Sequence, residues 1–168
     1  RIGEVFAAEN TIKEAEPALD QIDFQKKIEF ESVDFQYKGY CQPVLEDISF
    51  SIDKGETLGT IGSTGSGKAT LINLLRRFYD PSRGRIKIDG IDIKDMKIDE
   101  LRDQIAMVPQ DVLLFTGTIE ENIKWGNEDA GKEEVIKAAK IAQAHDFISS
   151  FSQGYNTYLG QGGVNLSG

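Results

Sequence analysis

The 168-residue chain has an apolar content of 39%, enough for one globular domain with a core of ordinary size. Its 28 acidic and 19 basic residues give a net charge of −9, which disfavours a nucleic-acid partner held by bulk electrostatics. The single cysteine, Cys41, excludes an internal disulfide and favours a reducing compartment. No apolar run approaches the roughly 18 residues of a membrane span, so we expect the chain itself to be soluble.

The first part of the chain predicts a short helix, a linker and two strands. Ile2, Val5 and Phe6 have helical spacing, and the residues that follow, up to position 26, are acidic and irregular. Residues 28–37 alternate between apolar and polar, with a slip of phase near Ser32 that indicates a β-bulge. Residues 44–52 predict a second strand.

A strand, a glycine-rich loop and a helix are predicted next. Residues 57–61, "TLGTI", form a short β-branched run that is typical of a parallel strand buried on both faces. The loop 62–67 leads into a helix that begins at Lys68 and places Leu71, Leu74, Leu75 and Phe78 on one face. The sequence "PSRG" then ends this helix.

The rest of the chain predicts a hairpin, a buried strand and two helices. Residues 85–93 form the hairpin, with Asp89-Gly90 as its two-residue turn. Residues 105–110 are another short apolar strand. Helices are expected near 118–123 and over 132–144, the second with Val135, Ala138, Ala139 and Ala142 on one face.

The loop has the form GxxxxGK, which can bind phosphate. Gly62, Gly65 and Gly67 let the backbone N–H groups point inward around a phosphate, and Lys68 reaches the β and γ phosphates of a nucleotide. The N-terminus of the following helix adds its positive dipole end. A chance glycine turn is the alternative, but a strand before the loop and a helix after it are the context that nucleotide binding requires.

Ala69 departs from this pattern, because the position after the lysine normally supplies a serine or threonine oxygen to Mg²⁺. Thr70 has a hydroxyl, but one helical step rotates it by about 100°, so we expect it to contact the α-phosphate instead. Loss of one protein ligand should weaken magnesium binding and slow hydrolysis while the backbone loop still binds phosphate. An engineered residue or a tolerated substitution with water in the site would look the same in the sequence.

Three stretches of the chain resemble the nucleotide-binding domain of ATP-binding cassette (ABC) exporters, of the multidrug or lipid exporter type. Residues 33–93 contain the phosphate loop in its family context. Residues 105–126, "IAMVPQDVLLFTGTIEENIKWG", look like the Q-loop segment. Residues 154–168, "GYNTYLGQGGVNLSG", resemble the exporter X-loop running into the signature LSGGQ, cut after its third residue. The likeness covers nearly the whole chain, and several motifs occur in the expected order.

The resemblance implies a role for individual residues. Tyr37 matches the aromatic residue that stacks on adenine, although a strand-end tyrosine packed on the core is the alternative. Gln110 matches the Q-loop glutamine, which is implied to ligate Mg²⁺ and approach the attacking water, and Lys68 is the other catalytic residue. Leu166, Ser167 and Gly168 match the signature that faces the nucleotide of an opposite subunit. The implied nucleotide contacts are Tyr37, Gly62, Ser63, Thr64, Gly65, Ser66, Gly67, Lys68, Ala69, Thr70 and Gln110.

The resemblance also implies the fold and the partners. We expect an α/β protein with a P-loop NTPase (RecA-like) core, an antiparallel β subdomain and the start of an α-helical subdomain. Residues 1–26 would be the connector and linker from a transmembrane domain, and residues 27–168 a partial nucleotide-binding domain. The implied cofactors are ATP and Mg²⁺, the latter weakened by Ala69. The implied partners are the exporter's transmembrane domain and a second nucleotide-binding domain, at the cytoplasmic face of the cell membrane.

The family's Walker B strand, catalytic glutamate, D-loop and switch histidine normally follow the signature, and none is present. We therefore expect ATP binding without turnover, and an exposed sheet edge beside the phosphate-loop strand. Two other readings stay open: a disabled, regulatory module that only holds nucleotide, and a phosphate-loop kinase. His145 precedes the signature and suits a surface or helix-cap role. Trp125 agrees with the exporter pattern and equally with a core anchor, and the pairs Glu120-Glu121 and Glu133-Glu134 suit solvated helix faces.

Overall fold

The structure, a computed structural model, describes residues 12–19, 23–109 and 113–160. The chain divides into an N-terminal unit, Arg1–Met107, and a C-terminal unit, Val108–Gly168. Among the described residues, no helix is both long enough and apolar enough to cross a membrane. The helix predicted around Ile2, Val5 and Phe6 lies outside these ranges.

The N-terminal unit is built on a four-stranded antiparallel sheet with the strand order β2-β1-β3-β4. Helix α1 follows the glycine-rich loop, and a short 3-10 helix and α2 follow the sheet's last strand. The elements are β1 (Lys27–Phe35), β2 (Leu45–Asp53), α1 (Lys68–Leu75), β3 (Arg83–Ile88), β4 (Ile91–Asp92), the 3-10 helix (Ile93–Asp95) and α2 (Ile98–Asp103). Both strands predicted before the loop are therefore confirmed.

The predicted bulge in β1 is confirmed at Ser32. The pairing of β1 with β2 shifts register between Phe30 and Val33, and Ser32 has a φ of 46°. Gly84 of β3 lies against this bulge with a φ of 75°, and a Cβ at that position would approach the carbonyl oxygens of Glu31 and Ser32 to less than 3.0 Å. The bulge thus depends on a glycine in the neighbouring strand.

The predicted hairpin between β3 and β4 is also confirmed. Asp89 and Gly90 have φ values of 54° and 87°, as a type I′ turn requires. The Asp89 carboxylate accepts three backbone N–H bonds, from Gln25 at 2.6 Å, Lys26 at 2.8 Å and Lys27 at 2.7 Å. The turn therefore fixes the chain that enters β1.

The core of this unit lies between the sheet and α1. Its fully buried side chains include Val33, Leu74 and Ile86, each 0% exposed. Leu71 and Leu75 pack against the same cluster, as predicted from their helical spacing. Phe78 lies beyond the end of α1 and is 41% exposed, so the apolar face is shorter than predicted.

The predicted buried strand 57–61 is not a strand in this structure, and neither are residues 105–109, the described part of the predicted strand 105–110. Residues 57–61 are all exposed, with Ile61 fully so, and residues 106–109 are exposed as well. A strand needs a neighbour for its backbone hydrogen bonds, and no strand within the described part of the chain pairs with either segment. Apolar composition alone led to both incorrect predictions.

The N-terminal segment 12–19 is attached to the folded unit rather than being a free linker. The Leu19 N–H donates to the Asp95 carbonyl at 2.9 Å, and the Lys97 N–H donates to the Leu19 carbonyl at 2.8 Å. Arg77, only 2% exposed, donates to the carbonyls of Lys13 at 2.6 Å and Lys94 at 3.1 Å. This segment is therefore held by the residues that follow α1.

The C-terminal unit combines three helices with a two-stranded antiparallel sheet, and its core contains Ile119, Ala139, Ile148 and Leu159. Its elements are β5 (Gly117–Thr118), α3 (Ile119–Lys124), α4 (Lys132–Ile141), α5 (His145–Ser149), a second 3-10 helix (Gly154–Asn156) and β6 (Tyr158–Leu159). Both predicted helices are confirmed, and Val135 and Ala139 are the buried members of the predicted α4 face.

Two of the paired glutamates cap helices instead of only facing solvent. Glu121 accepts the Thr118 backbone N–H at 2.7 Å, and the Thr118 hydroxyl accepts the Glu121 N–H at 3.1 Å. Hydrogen bonding of the Glu121 carboxyl to the backbone of Thr118, and then to its side chain, lowers the pKa of this carboxyl. Glu134 accepts the Gly131 N–H in the same way at the start of α4.

Candidate nucleotide-binding site

The glycine-rich loop ends at Gly67, the N-cap of α1, which has a φ of 87°. A Cβ at Gly67 would lie 2.8 Å from the Leu45 side chain and 3.1 Å from the Val44 carbonyl oxygen. Both the left-handed backbone and the close approach of β2 therefore require glycine here. The sheet thus fixes the position at which the loop turns into the helix.

The N-terminus of α1 keeps its backbone donors available. Gly67 provides no side-chain cap, and no acidic residue occupies the first turn. The first N–H groups of a helix have no partner within the helix, and the helix dipole favours negative charge at this end. An anion bound at this end would receive hydrogen bonds directly from the main chain.

Lys68 lies over the loop that precedes it. Its ammonium group donates to the carbonyls of Gly62 at 2.7 Å and Ser63 at 2.8 Å, and to the Ser66 hydroxyl at 3.2 Å. Among the described residues, no carboxylate forms a salt bridge with it. The positive charge is therefore not neutralised by the protein and can attract a phosphate.

Ala69 is exposed in the first turn of α1 and presents only a methyl group. Thr70, one residue further on, is 5% exposed. Its hydroxyl lies 3.1 Å from the hydroxyl of Tyr37, and either group can be the donor of this bond. Thr70 therefore joins α1 to the end of β1, a contact that the sequence did not predict.

The ring of Tyr37 is half-buried among other aromatic rings. Phe35 and Tyr79 meet it edge-to-face, with centroid distances of 4.7 Å and 5.1 Å. Tyr40 lies further away, at 6.2 Å, and is exposed. Tyr37 thus contacts the core and also forms a direct hydrogen bond with the helix that follows the phosphate loop.

The described residues do not form a metal site. They contain no group of three or more histidine, cysteine, aspartate or glutamate side chains that could hold an ion. Gln110, the predicted magnesium ligand, and the signature residues Leu166, Ser167 and Gly168 lie outside the described ranges. Their roles stay predictions.

The structure contradicts one interpretation of Trp125 and places His145 at the start of a helix. Trp125 is 64% exposed and stacks on Phe115 at 4.2 Å, so it is not a core anchor. His145 begins α5, and its Nδ1 lies 2.9 Å from the hydroxyl of Tyr155, whose pKa is raised by burial.

A glycine loop, an unneutralised lysine and a helix N-terminus together are the features of a phosphate-binding loop. These features, with the GxxxxGK spacing, indicate the P-loop class of nucleotide-binding domains, although no strand directly precedes the loop in the described residues.

Residues 45–167 match the sequence profile of the ABC transporter family, which is most of the chain. The chain belongs to this family, and its fold is that of the ABC ATPase domain. The resemblance seen in the motifs and the predicted fold class are thereby confirmed. The antiparallel sheet and helices of the N-terminal unit, and the helices and small sheet of the C-terminal unit, are the regular elements of that fold among the described residues.

The chain is similar over its whole length to YfiB, an uncharacterized ABC transporter ATP-binding protein of Bacillus subtilis, with 47% identity. A Staphylococcus aureus protein, provisionally named a multidrug export ATP-binding/permease protein, is 51% identical over 86% of the chain. A bacterial Atm1-family ABC exporter, solved with ATP bound, matches 98% of the chain with a TM-score of 0.90 and 36% identity. The chain spans 25% to 29% of the length of these proteins.

Proposed function

We propose that this chain is the ATP-binding part of an ABC exporter, in which nucleotide binding and hydrolysis power the export of a substrate. The loop 62–67, Lys68 and the N-terminus of α1 hold the phosphates, and the ring of Tyr37 stacks on the adenine. The relative solved with ATP bound supports the choice of nucleotide. The exporter names of two relatives support the choice of process.

One observation carries the proposal. Lys68 has no carboxylate partner among the described residues, and it lies at the start of the helix that Thr70 joins to Tyr37. A phosphate-binding group and an aromatic ring are thus attached to the same turn of α1. A nucleotide, which has an anionic end and a flat apolar base, is the ligand that fits both.

The described residues fit the phosphates better than they fit magnesium. The loop supplies backbone donors and a cation, whereas Ala69 supplies no oxygen and the described residues contain no cluster of metal ligands. Magnesium, when bound, neutralises charge on the β and γ phosphate oxygens. In this proposal Gln110 is its one protein ligand from this chain, so the metal binds more weakly than in a domain with serine at position 69.

The partners in the proposal are a transmembrane domain and a second nucleotide-binding domain. The Staphylococcus aureus relative is named as both ATP-binding protein and permease, and it is much longer than this chain. Residues 1–26 would connect the two parts, and 27–168 would belong to the nucleotide-binding domain. Leu166, Ser167 and Gly168 would contact the nucleotide of the opposite domain. The site would then lie at the cytoplasmic face of the membrane.

We expect this 168-residue chain to bind ATP but not to hydrolyse it. Lys68 and Gln110 are the catalytic residues that the proposal assigns here, and the sequence contains no apolar strand ending in the Asp-Glu pair that the family uses. The alternative is a regulatory module that holds nucleotide without turnover even in the complete protein. Ala69, which lacks the hydroxyl for magnesium, is the observation that favours this alternative.

Thermal unfolding with increasing ATP, with and without Mg²⁺, tests the proposal on the chain and on two variants, Lys68→Ala and Ala69→Ser. ATP at a hundredfold excess over its dissociation constant stabilises a fold by about 2.7 kcal/mol, which is easily measured. We expect stabilisation of the chain, a smaller effect for Lys68→Ala, and additional stabilisation by magnesium only for Ala69→Ser.

Two outcomes would contradict parts of this proposal. Equal stabilisation of the chain and of Lys68→Ala would show that the phosphate loop does not carry binding. Phosphate release well above that of the Lys68→Ala control would show that the chain turns over ATP by itself. For the regulatory alternative, the decisive variant is Ala69→Ser in the full-length protein. If it leaves hydrolysis unchanged, Ala69 is not a disabling residue.

A further inference from the structure

The ring of Tyr37 is restrained by two neighbouring rings and at its hydroxyl. Phe35 and Tyr79 meet it at interplanar angles of 85° and 88°, and its hydroxyl lies 3.1 Å from that of Thr70. Edge-to-face contacts stabilise one orientation of a ring relative to its neighbour. Three groups from three parts of the chain therefore fix one side chain.

Of these three groups, Tyr79 is the one without another evident task. Phe35 is a core residue of β1, only 4% exposed, and Thr70 lies in the first turn of α1 close to the phosphate loop. Tyr79 lies in the turn after α1, is 41% exposed, and also contacts Phe35 with a centroid distance of 5.5 Å. A large aromatic residue that remains this exposed contributes less to the core than its size allows.

We propose that Tyr79 is a positioning residue that holds the ring of Tyr37 in the orientation in which it stacks on the base of the nucleotide. This inference rests on the proposed function. A side chain that is free before binding must be ordered on binding, and that ordering weakens affinity. A ring already restrained by Tyr79 and Thr70 avoids this loss. In this proposal Tyr79 acts only through the ring of Tyr37.

The test compares two ligands on the full-length protein. ATP uses both the ring and the loop, whereas inorganic tripolyphosphate uses the loop alone. We expect Tyr79→Leu to weaken ATP binding about three- to tenfold, the size expected when one side chain must be ordered on binding. Tripolyphosphate binding should stay unchanged. Tyr79→Phe, which keeps the ring, should bind ATP as the unmodified protein does.

A double-mutant cycle separates positioning from a general structural effect. In a Tyr37→Leu background there is no ring left to position, so adding Tyr79→Leu should weaken ATP binding no further. Calorimetric titration of the four proteins gives the coupling directly. Unfolding midpoints confirm that each variant is folded, and Tyr79→Met replaces Tyr79→Leu if the latter is not.

Four results would overturn the inference. If Tyr79→Leu weakens the binding of ATP and of tripolyphosphate equally, Tyr79 acts on the loop or on the whole fold. If Tyr79→Leu leaves ATP binding unchanged, the ring needs no restraint from Tyr79. The same follows if the losses of ATP affinity caused by Tyr79→Leu and Tyr37→Leu simply add. An unmodified protein that binds neither ligand would overturn the proposed function and this inference with it. In every other overturning result the unmodified protein still binds ATP, so the two failures are distinguishable.

Discussion

Asp89 is a single residue on which three backbone N–H groups converge at the start of β1. Burial would by itself raise the pKa of its carboxyl, but the hydrogen bonds from Gln25, Lys27 and Lys26 outweigh it, and the pKa is lowered from its usual value of 3.8. A lowered pKa in the folded state means that the ionised carboxylate stabilises the fold. This stabilisation is present above pH 3.8 and is lost as the pH falls through the lower folded value.

We expect Asp89→Asn to reduce the acid sensitivity of the chain. Asparagine adopts the same positive φ and suits the same turn, but it cannot be ionised. Urea unfolding at pH 7 and near pH 3 measures the difference. The unmodified chain should lose more stability between these pH values than Asp89→Asn does, because the other carboxylates are common to both. Equal losses would show that the three bonds do not depend on the charge.

For single residues, the sequence predicts a phosphate-binding loop but not the contacts that surround it. The loop and Lys68 follow from a contiguous motif with one physical purpose. The contacts of Tyr37 with Tyr79 and Thr70 join residues far apart in the sequence, and no spacing rule brings them together. The capping role of Glu121 was detectable, since Thr118 and Glu121 have the T-x-x-E spacing of a capping box, whereas Glu134 follows a glycine, which has no side chain for such a box.

Among the secondary-structure elements, the bulged pair of strands β1 and β3 depends most on a glycine, the residue without a side chain. Gly84 has a φ of 75° and faces the carbonyls of Glu31 and Ser32 at a distance that no Cβ tolerates. Substitution there strains the backbone and also forces the two strands apart. The bulge and the glycine therefore form a single structural unit.

We expect Gly84→Ala to lower the free energy of unfolding by about 2 kcal/mol or more, from backbone strain and overpacking together. Gly55→Ala is the matched control, because Gly55 has a similar φ of 87° with nothing within 4 Å of an added Cβ. Gly55→Ala should lower the free energy of unfolding by the backbone strain alone. Denaturant unfolding of both variants gives the comparison, and equal costs would mean that the bulge yields without penalty.

Elements with alternating apolar residues or a specific turn were predicted correctly, whereas two runs predicted as strands from apolar composition alone were not. The Asp89-Gly90 hairpin is specified by its own two turn residues, and the bulge by a slip in apolar alternation around Ser32. The runs 57–61 and 105–110 were predicted as strands from composition. Whether such a run becomes a strand depends on a neighbouring strand, which composition does not reveal.

The whole molecule exposes several apolar side chains that its composition would place inside. In the N-terminal unit, Ile61 is fully exposed, and Leu58, Ile72 and Met107 are each between 44% and 48% exposed. The curated relatives are much longer than this chain. Surfaces of this kind favour association with other protein segments.

We expect Ile61→Ser to change the stability of this chain by less than about 0.5 kcal/mol, as is usual for an exposed site. Ile86→Ala, at a residue that is 0% exposed, is the contrasting variant and should cost about 2 to 5 kcal/mol. Denaturant unfolding measures both, and sedimentation should show less self-association for Ile61→Ser. A loss above about 1 kcal/mol for Ile61→Ser would mean that residues 57–61 are buried after all.

The position of Arg77 has a mechanical consequence. Its guanidinium donates a hydrogen bond to the carbonyl of Lys13. Arg77 also lies just after α1, an eight-residue helix about 12 Å long that begins at the phosphate loop. Arg77 therefore ties the segment 12–19 to the end of α1 opposite the phosphate loop, and we expect Arg77→Ala to release this segment, which faster amide hydrogen exchange at Leu19 and Lys97 would show.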